Sequence, residues 1–140
     1  MDVKITLNGK VVTDSVDADM VLLDFCRKHN CYSVKRGCES GNCGLCTVLL
    51  DGKPILSCST PVGRANGRRV DTLEGLQEEA KAFTRFFAAQ GADQCGFCNP
   101  GYIVNIVALL FYLHQMPIHS RVWHLNIDYK TECLMNHERH

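Results

Sequence analysis

Val3, Ile5 and Leu7 alternate with polar residues in VKITLNGKVVTDSV. Alternation of period two gives a strand one face for a core and one for water. Asn8-Gly9, the favoured pair for a type I′ turn, separates this run from Lys10–Val16, so the stretch predicts a β-hairpin. Asp19 is placed to cap a helix over about Met20–His29, with Leu22, Leu23 and Cys26 on its apolar side. TVLLDGKPILSC predicts a second hairpin that turns at Asp51-Gly52, and Arg69–Thr72 a last strand. Between the helix and the second hairpin the chain is too rich in glycine to continue either pattern.

The character changes near Gly75. Leu76–Gln90 carries a helical pattern, with Leu76, Ala80, Phe83 and Phe87 along one side. Asn99-Pro100 reads as a helix start, Asn as the cap and Pro at the first helical position. The apolar run YIVNIVALLFYL, residues 102–113, is the buried helix that this start predicts. The pattern therefore divides the chain into a β-rich domain, 1–75, and a helical domain, 76–140. Phe83, Phe86 and Phe87 lie close together on one predicted helix, where a core role outweighs a docking role.

Composition narrows the functional classes. The 140 residues are 46% hydrophobic and 21% charged, with Lys+Arg and Asp+Glu equal at 15 each. That balance offers no basic face for nucleic acid and no acidic tail. Asp2, Lys4, Asp14, Asp17 and Asp19 interrupt the first twenty residues, which excludes a signal-peptide core. The longest apolar run is too short to span a bilayer. The expected location is the cytoplasm. Nine cysteines, an odd count, together with the lack of an export signal, favour reduced thiols that hold a metal or cluster over disulfides.

Three of these cysteines fall in CESGNCGLC. Cys38, Cys43 and Cys46 have the spacing C-x4-C-x2-C, and eleven residues separate Cys46 from Cys58 at the end of the second hairpin. This is the plant-type ferredoxin arrangement for a [2Fe–2S] cluster. Each iron takes two thiolates in tetrahedral geometry, so one short loop can supply three only by curling around the cluster. Gly37, Gly41 and Gly44 permit the positive φ angles of such a curl. The curl also points backbone N–H groups at the sulfurs. A structural zinc site is the competing reading, but zinc knuckles usually lie a dozen or so residues apart. The other C-x2-C pair, Cys95–Cys98, is separated from Cys46 by 48 residues. Cys26 and Cys31 fit no ligand pattern, and Cys26 is most simply a buried small apolar residue.

QCGFCNPG, residues 94–101, puts Cys95 and Cys98 just before a helix start, where exposed N–H groups favour an anionic ligand. Two thiolates do not complete a cluster or a zinc site, and Cys133 is the one cysteine further downstream.

VKRGCESGNCGLCTVLLDGKPILSC followed by QCGFCNPG resembles the small iron–sulfur subunit of molybdenum hydroxylases, over residues 1 to about 113. That family includes xanthine dehydrogenases, aldehyde oxidoreductases, nicotinate dehydrogenase and carbon monoxide dehydrogenase. The resemblance implies an α+β chain, with a β-grasp ferredoxin-like domain followed by a small helical-bundle domain, each carrying a [2Fe–2S] cluster. By motif position it assigns Cys38, Cys43, Cys46 and Cys58 to the first cluster and Cys95 and Cys98 to the second. Gln94 matches the glutamine that contacts the pterin of the molybdenum cofactor. Molybdopterin and FAD are implied on partner chains, a molybdopterin-binding large subunit and an FAD-binding medium subunit. The implied role is to relay electrons from the first to the second while a substrate, an N-heterocycle of the xanthine kind or an aldehyde, is hydroxylated with oxygen from water. The alternative is a free-standing ferredoxin-like carrier. Such carriers generally need a charged docking face, which the charge balance disfavours.

The chain departs from the family in one place. A C-x-C pair completes the family's second site, and here RVWHLNIDYKTECLMNHERH offers only Cys133. The family pattern is lost after about 113. The tail is instead rich in histidine, at His114, His119, His124, His137 and His140. The expectation is a frameshifted or otherwise altered C-terminus, with the second cluster absent or unstable.

Overall fold

The computed structural model describes residues 1–91 and 94–115. Cys133 and the altered tail beyond residue 115 lie outside the described residues. Strands β1 (Asp2–Leu7) and β2 (Lys10–Ser15) form the first hairpin. Asn8 at φ 49° and Gly9 at φ 78° give its turn the left-handed backbone of type I′. Strands β3 (Thr47–Leu50) and β4 (Lys53–Leu56) form the second, through Asp51 at φ 49° and Gly52 at φ 77°. Strand β5 (Arg69–Asp71) comes last in sequence but lies in the middle of the sheet, whose order is β2-β1-β5-β3-β4. It runs parallel to β1, pairing Leu7 with Val70, and antiparallel to β3, pairing Leu50 with Val70.

One face of the sheet is covered by helix α1 (Leu22–Lys28), which buries Leu22, Leu23, Phe25 and Cys26 against Val3, Ile5, Leu7, Val48, Leu50 and Val70. Asp19 does not cap this helix. Val21 holds the cap position in extended backbone with no side-chain bond, because it is bridged to Pro61 while the Leu22 N–H donates to the Thr60 carbonyl. A tertiary partner thus takes an N–H that a local cap would have served. Helix α1 starts two residues later than expected.

Helices α2 (Gln77–Gln90) and α3 (Asn99–Gln115) form a second layer. Leu76, Ala80, Ile103, Val104, Val107 and Ala108 pack around Leu49, whose side chain leaves β3 on the face opposite Val48 and Leu50. This explains why TVLL is buried throughout instead of alternating: both faces of β3 are covered. Leu76 and Ala80 are buried as expected, Phe83 and Phe87 are half-buried, and Phe86 is exposed. Phe87 meets Tyr102 edge-on at 5.3 Å and joins the two helices. Helix α3 is not buried all round, because Tyr102, Leu109 and Tyr112 face outward. It begins one residue earlier than the sequence suggests: the Cys98 carbonyl accepts from the Tyr102 N–H, so Cys98 takes the cap position and Asn99 is already helical. Among the described residues no helix is long and apolar enough to cross a membrane.

Candidate metal centre

Helix α1 ends at Lys28, with His29 at its cap, and the chain then runs as an irregular loop before entering β3. Within this loop Glu39 (φ 53°), Gly41 (φ 75°) and Gly44 (φ 73°) take left-handed backbone, and these angles produce the curl. Gly37 does not, contrary to expectation. Its need is space, since a Cβ there would lie 2.9 Å from Cys43 Sγ and 2.7 Å from Leu45 Cδ1. Arg36 fastens the loop to α1, bonding Asp24 on the helix and Glu39, at 2.6 Å, in the loop.

The curl brings the Asn42 and Cys43 N–H groups onto Cys38 Sγ at 3.4 and 3.3 Å. The Ser40 hydroxyl foremost, and the N–H groups of Cys43, Ser40 and Asn42, pull the Cys38 thiol from 9.0 down to about 5. Such donors stabilise a thiolate over a thiol. Cys46, which ends the loop, is buried. Its carbonyl accepts from the Ser57 hydroxyl at 2.6 Å and from the Ser57 N–H at 3.3 Å, so the turn after β4 is tied to the loop. That bond delivers Cys58 beside Cys46. Desolvation foremost, and the adjacent Cys46 thiol next, push the Cys58 thiol up, while the Gly41 N–H pulls it the other way and the charge of Cys38 adds to the rise. Cys38, Cys46 and Cys58 thus interact around one curled loop that also carries Cys43, with the Cys38 thiol pulled toward the anion and the Cys58 thiol pushed toward the neutral form.

This donor set fits a [2Fe–2S] cluster. Binding of two ferric irons would supply the positive charge that lets closely spaced thiols ionise together. The N–H groups already aimed at sulfur match the donors such clusters take. Among the described residues no three His, Cys, Asp or Glu side chains close on a single metal ion; a [2Fe–2S] cluster spreads its four thiolates over two irons and does not call for three on one. Cys26 is fully buried and Cys31 nearly so, both apart from this group, and burial drives both thiols upward. Asp19, freed from capping, lines an open cavity of about 440 Å³ next to Cys58 together with Asp17, Asp24, Arg36 and Glu39.

The second pair is differently set. Cys95 and Cys98 are both exposed, as is Gln94, and Gly96 at φ 70° bends the segment between them. The third and fourth donors that a cluster needs are not among the described residues near this pair.

What periodicity and spacing missed is how the two motifs meet. Gly101, in the first turn of α3, lies with its backbone against Gly44 and Leu45: a Cβ there would come within 2.7 Å of Leu45 Cα and 2.9 Å of the Gly44 carbonyl oxygen. Lys35 Nζ sits 5.7 Å from the centre of the Phe97 ring, inside the second motif. The Asn105 amide reaches Thr47 Oγ1 at 3.1 Å, at the end of the first loop. The one available signal was a polar Asn105 inside an apolar run.

The chain matches two family models, "2Fe-2S iron-sulfur cluster binding domain" over residues 5–81 and "[2Fe-2S] binding domain" over residues 72–122. It is 41% identical to an aldehyde oxidoreductase of Megalodesulfovibrio gigas over 110 residues, which cover 76% of this chain and 12% of that one. It therefore spans only a small part of that relative's length. It is 38% identical to the nicotinate dehydrogenase small FeS subunit of Eubacterium barkeri over 111 residues, 77% of this chain and 71% of that one. Among solved structures it is similar to quinoline 2-oxidoreductase from Pseudomonas putida 86, with TM-score 0.69 and 34% identity over 79% of this chain and 70% of that one.

Proposed function

The chain belongs to the iron–sulfur subunits of the molybdenum hydroxylase family, and from that premise we propose that it conducts electrons from a molybdopterin-binding large subunit to an FAD-binding medium subunit. Cys38, Cys43, Cys46 and Cys58 would hold one [2Fe–2S] cluster, and Cys95 and Cys98 would contribute to a second. Bound there, the cluster supplies one-electron storage between two-electron substrate oxidation and the flavin. The chain's own groups fix it in place. Ser57 binds the turn that carries Cys58 to the Cys46 carbonyl, and Arg36 braces the loop against α1. The N–H groups on Cys38 Sγ favour the thiolate. Gln94 would reach toward the pterin of the partner.

The ferredoxin-like unit of this reading is residues 1–75 and the helical unit 76–140, with Leu49 of the first contributing to the core of the second. The relay would serve hydroxylation of an N-heterocycle or an aldehyde at a site on the large subunit, in the cytoplasm. The observation that carries the reading is the meeting of Cys58 with Cys46 and Cys38 around a loop whose N–H groups already point at sulfur. Anaerobic purification followed by iron and sulfide analysis and EPR after dithionite tests it. A red-brown chain with a rhombic reduced-state signal is expected, retained by the two larger subunits when these are present. A colourless chain containing zinc would overturn it, and a coloured chain indifferent to those subunits would point to a free-standing carrier.

A further inference from the structure

We propose that Asn105 is a positioning residue for the first cluster: from helix α3 it holds the Gly44 carbonyl, between Cys43 and Cys46, in the orientation that sets the polarity around that cluster. The inference rests on the cluster assignment above. Asn105 interrupts an otherwise apolar run, and the structure uses its side chain at the contact between the two motifs. Its Nδ2 donates to the Gly101 carbonyl at 2.8 Å and to Thr47 Oγ1 at 3.1 Å. A carbonyl can only accept, so the bond to Gly101 fixes which end of the amide is the nitrogen. The Thr47 hydroxyl then donates onward to the Gly44 carbonyl at 2.7 Å, and Asn105 Nδ2 itself lies 3.5 Å from that oxygen. Both amide hydrogens are thereby used, and the path from helix to loop is a directed chain of hydrogen bonds whose members polarise one another.

The consequence follows from peptide geometry. The Gly44–Leu45 peptide is planar and trans, so a carbonyl held on the helix side turns the Leu45 N–H to the opposite side. Gly44 is in left-handed backbone, and the Thr47 N–H also donates to its carbonyl at 3.2 Å, so the side chains of Thr47 and Asn105 reinforce a single turn bond from the helix side. Gly101 allows the approach, because any side chain there would push α3 off the loop. Hydrogen bonds and dipoles around the sulfurs are among the levers that set a cluster's potential. A bond chain that fixes one loop peptide therefore acts on the electron-transfer properties of the site and not only on its stability.

The test uses the full chain loaded with iron and sulfide, with three variants. Asn105→Leu keeps the volume and removes both donors. Thr47→Val removes the hydroxyl alone. Asn105→Gln retains the amide. Spectroelectrochemistry and EPR follow the signal that Cys58→Ser abolishes, which identifies the first cluster. Asn105→Leu and Thr47→Val should each shift its midpoint potential and change its g-anisotropy, and their double variant should shift no further than Thr47→Val alone. Asn105→Gln should recover part of the shift. Amide exchange at Gly44–Thr47 should quicken roughly fivefold in Asn105→Leu, the factor for one lost hydrogen bond of about 1 kcal/mol. Lower melting temperatures with unmoved potentials and unchanged g-values would overturn the inference and leave the cluster assignment standing. A wild-type chain without any [2Fe–2S] signal would overturn the assignment and this inference together.

Discussion

Cys46 and Cys98 each close a C-x2-C pair, yet their surroundings are opposite. Cys46 is 3% exposed, its carbonyl is tied to Ser57, and a third and a fourth thiol stand close by. Cys98 is exposed at the start of a helix, and of the thiols Cys95 alone is described beside it. The difference lies in where the donors come from. The thiols of the first group come from one loop and from the turn after one hairpin, which the same sheet holds together. The second pair sits on a bend, and no further thiol stands beside it among the described residues. Among the described residues, identical local spacing therefore has further thiols beside one pair and not beside the other, and the sheet makes the difference.

The largest effect should come from the thiols themselves. Cys46→Ser is expected to abolish the first cluster, and Cys98→Ser to leave it intact, when iron per chain is measured alongside EPR. The wild-type chain should carry about two irons if the second pair stays incomplete, and about four would show that further donors complete it. Equal iron loss in both variants would dissolve the contrast between the sites.

Next in size is the contact that joins the layers. Leu49→Ala should cost about 2–5 kcal/mol in urea unfolding, since it empties the centre of the second core, whereas Leu109→Ala on the exposed face of α3 should change stability by about 0.5 kcal/mol or less. Similar midpoints for the two would mean that α3 does not rest on the sheet through Leu49.

Gly101→Ala should cost about 1–3 kcal/mol, because its Cβ would strike the backbone of Leu45 and the Gly44 carbonyl. Gly96→Ala should cost about 1–2 kcal/mol for a different reason, its left-handed φ, with ordinary space around it. Only the Gly101 variant should disturb the EPR line shape of the first cluster, and a disturbance from both would blur the distinction.

The smallest effect concerns protons. In the cluster-free chain the Cys38 thiol is lowered from 9.0 to about 5, so between those limits the folded chain binds fewer protons than the unfolded one. The resulting stability is present above pH 9 and is lost as pH falls toward 5. It should be slight, because Cys38 faces solvent. Iodoacetamide at about pH 6.5 should label Cys38 ahead of Cys58, whose thiol is raised, as read by peptide mass spectrometry. Equal labelling would show that the N–H cradle does not form without iron.

Much of this molecule is legible in the residues. Asn8-Gly9 and Asp51-Gly52 announce their turns because positive φ at two successive positions suits few other pairs. Val3, Ile5 and Leu7 announce a half-buried strand. The cysteine spacing announces the curled loop, and the N–H groups on Cys38 follow from it. Asp19 misled because its capping value is local, while the bridge from Val21 to Pro61 is not. Gly37 misled because glycine also serves where space is short, and a sequence does not reveal what stands 2.9 Å from an absent Cβ.

The order of residues along the chain determined the turns, the periodic faces and the grouping of thiols, since each depends on neighbours a few positions away. Only the tertiary structure decided that β5 lies between β1 and β3, that Leu49 turns away from Val48 and Leu50 into a second core, and that Gly101 and Asn105 close on the first loop. Those contacts join residues tens of positions apart, where the energy of burial and of backbone approach depends on the packed whole and leaves no periodic trace in either partner.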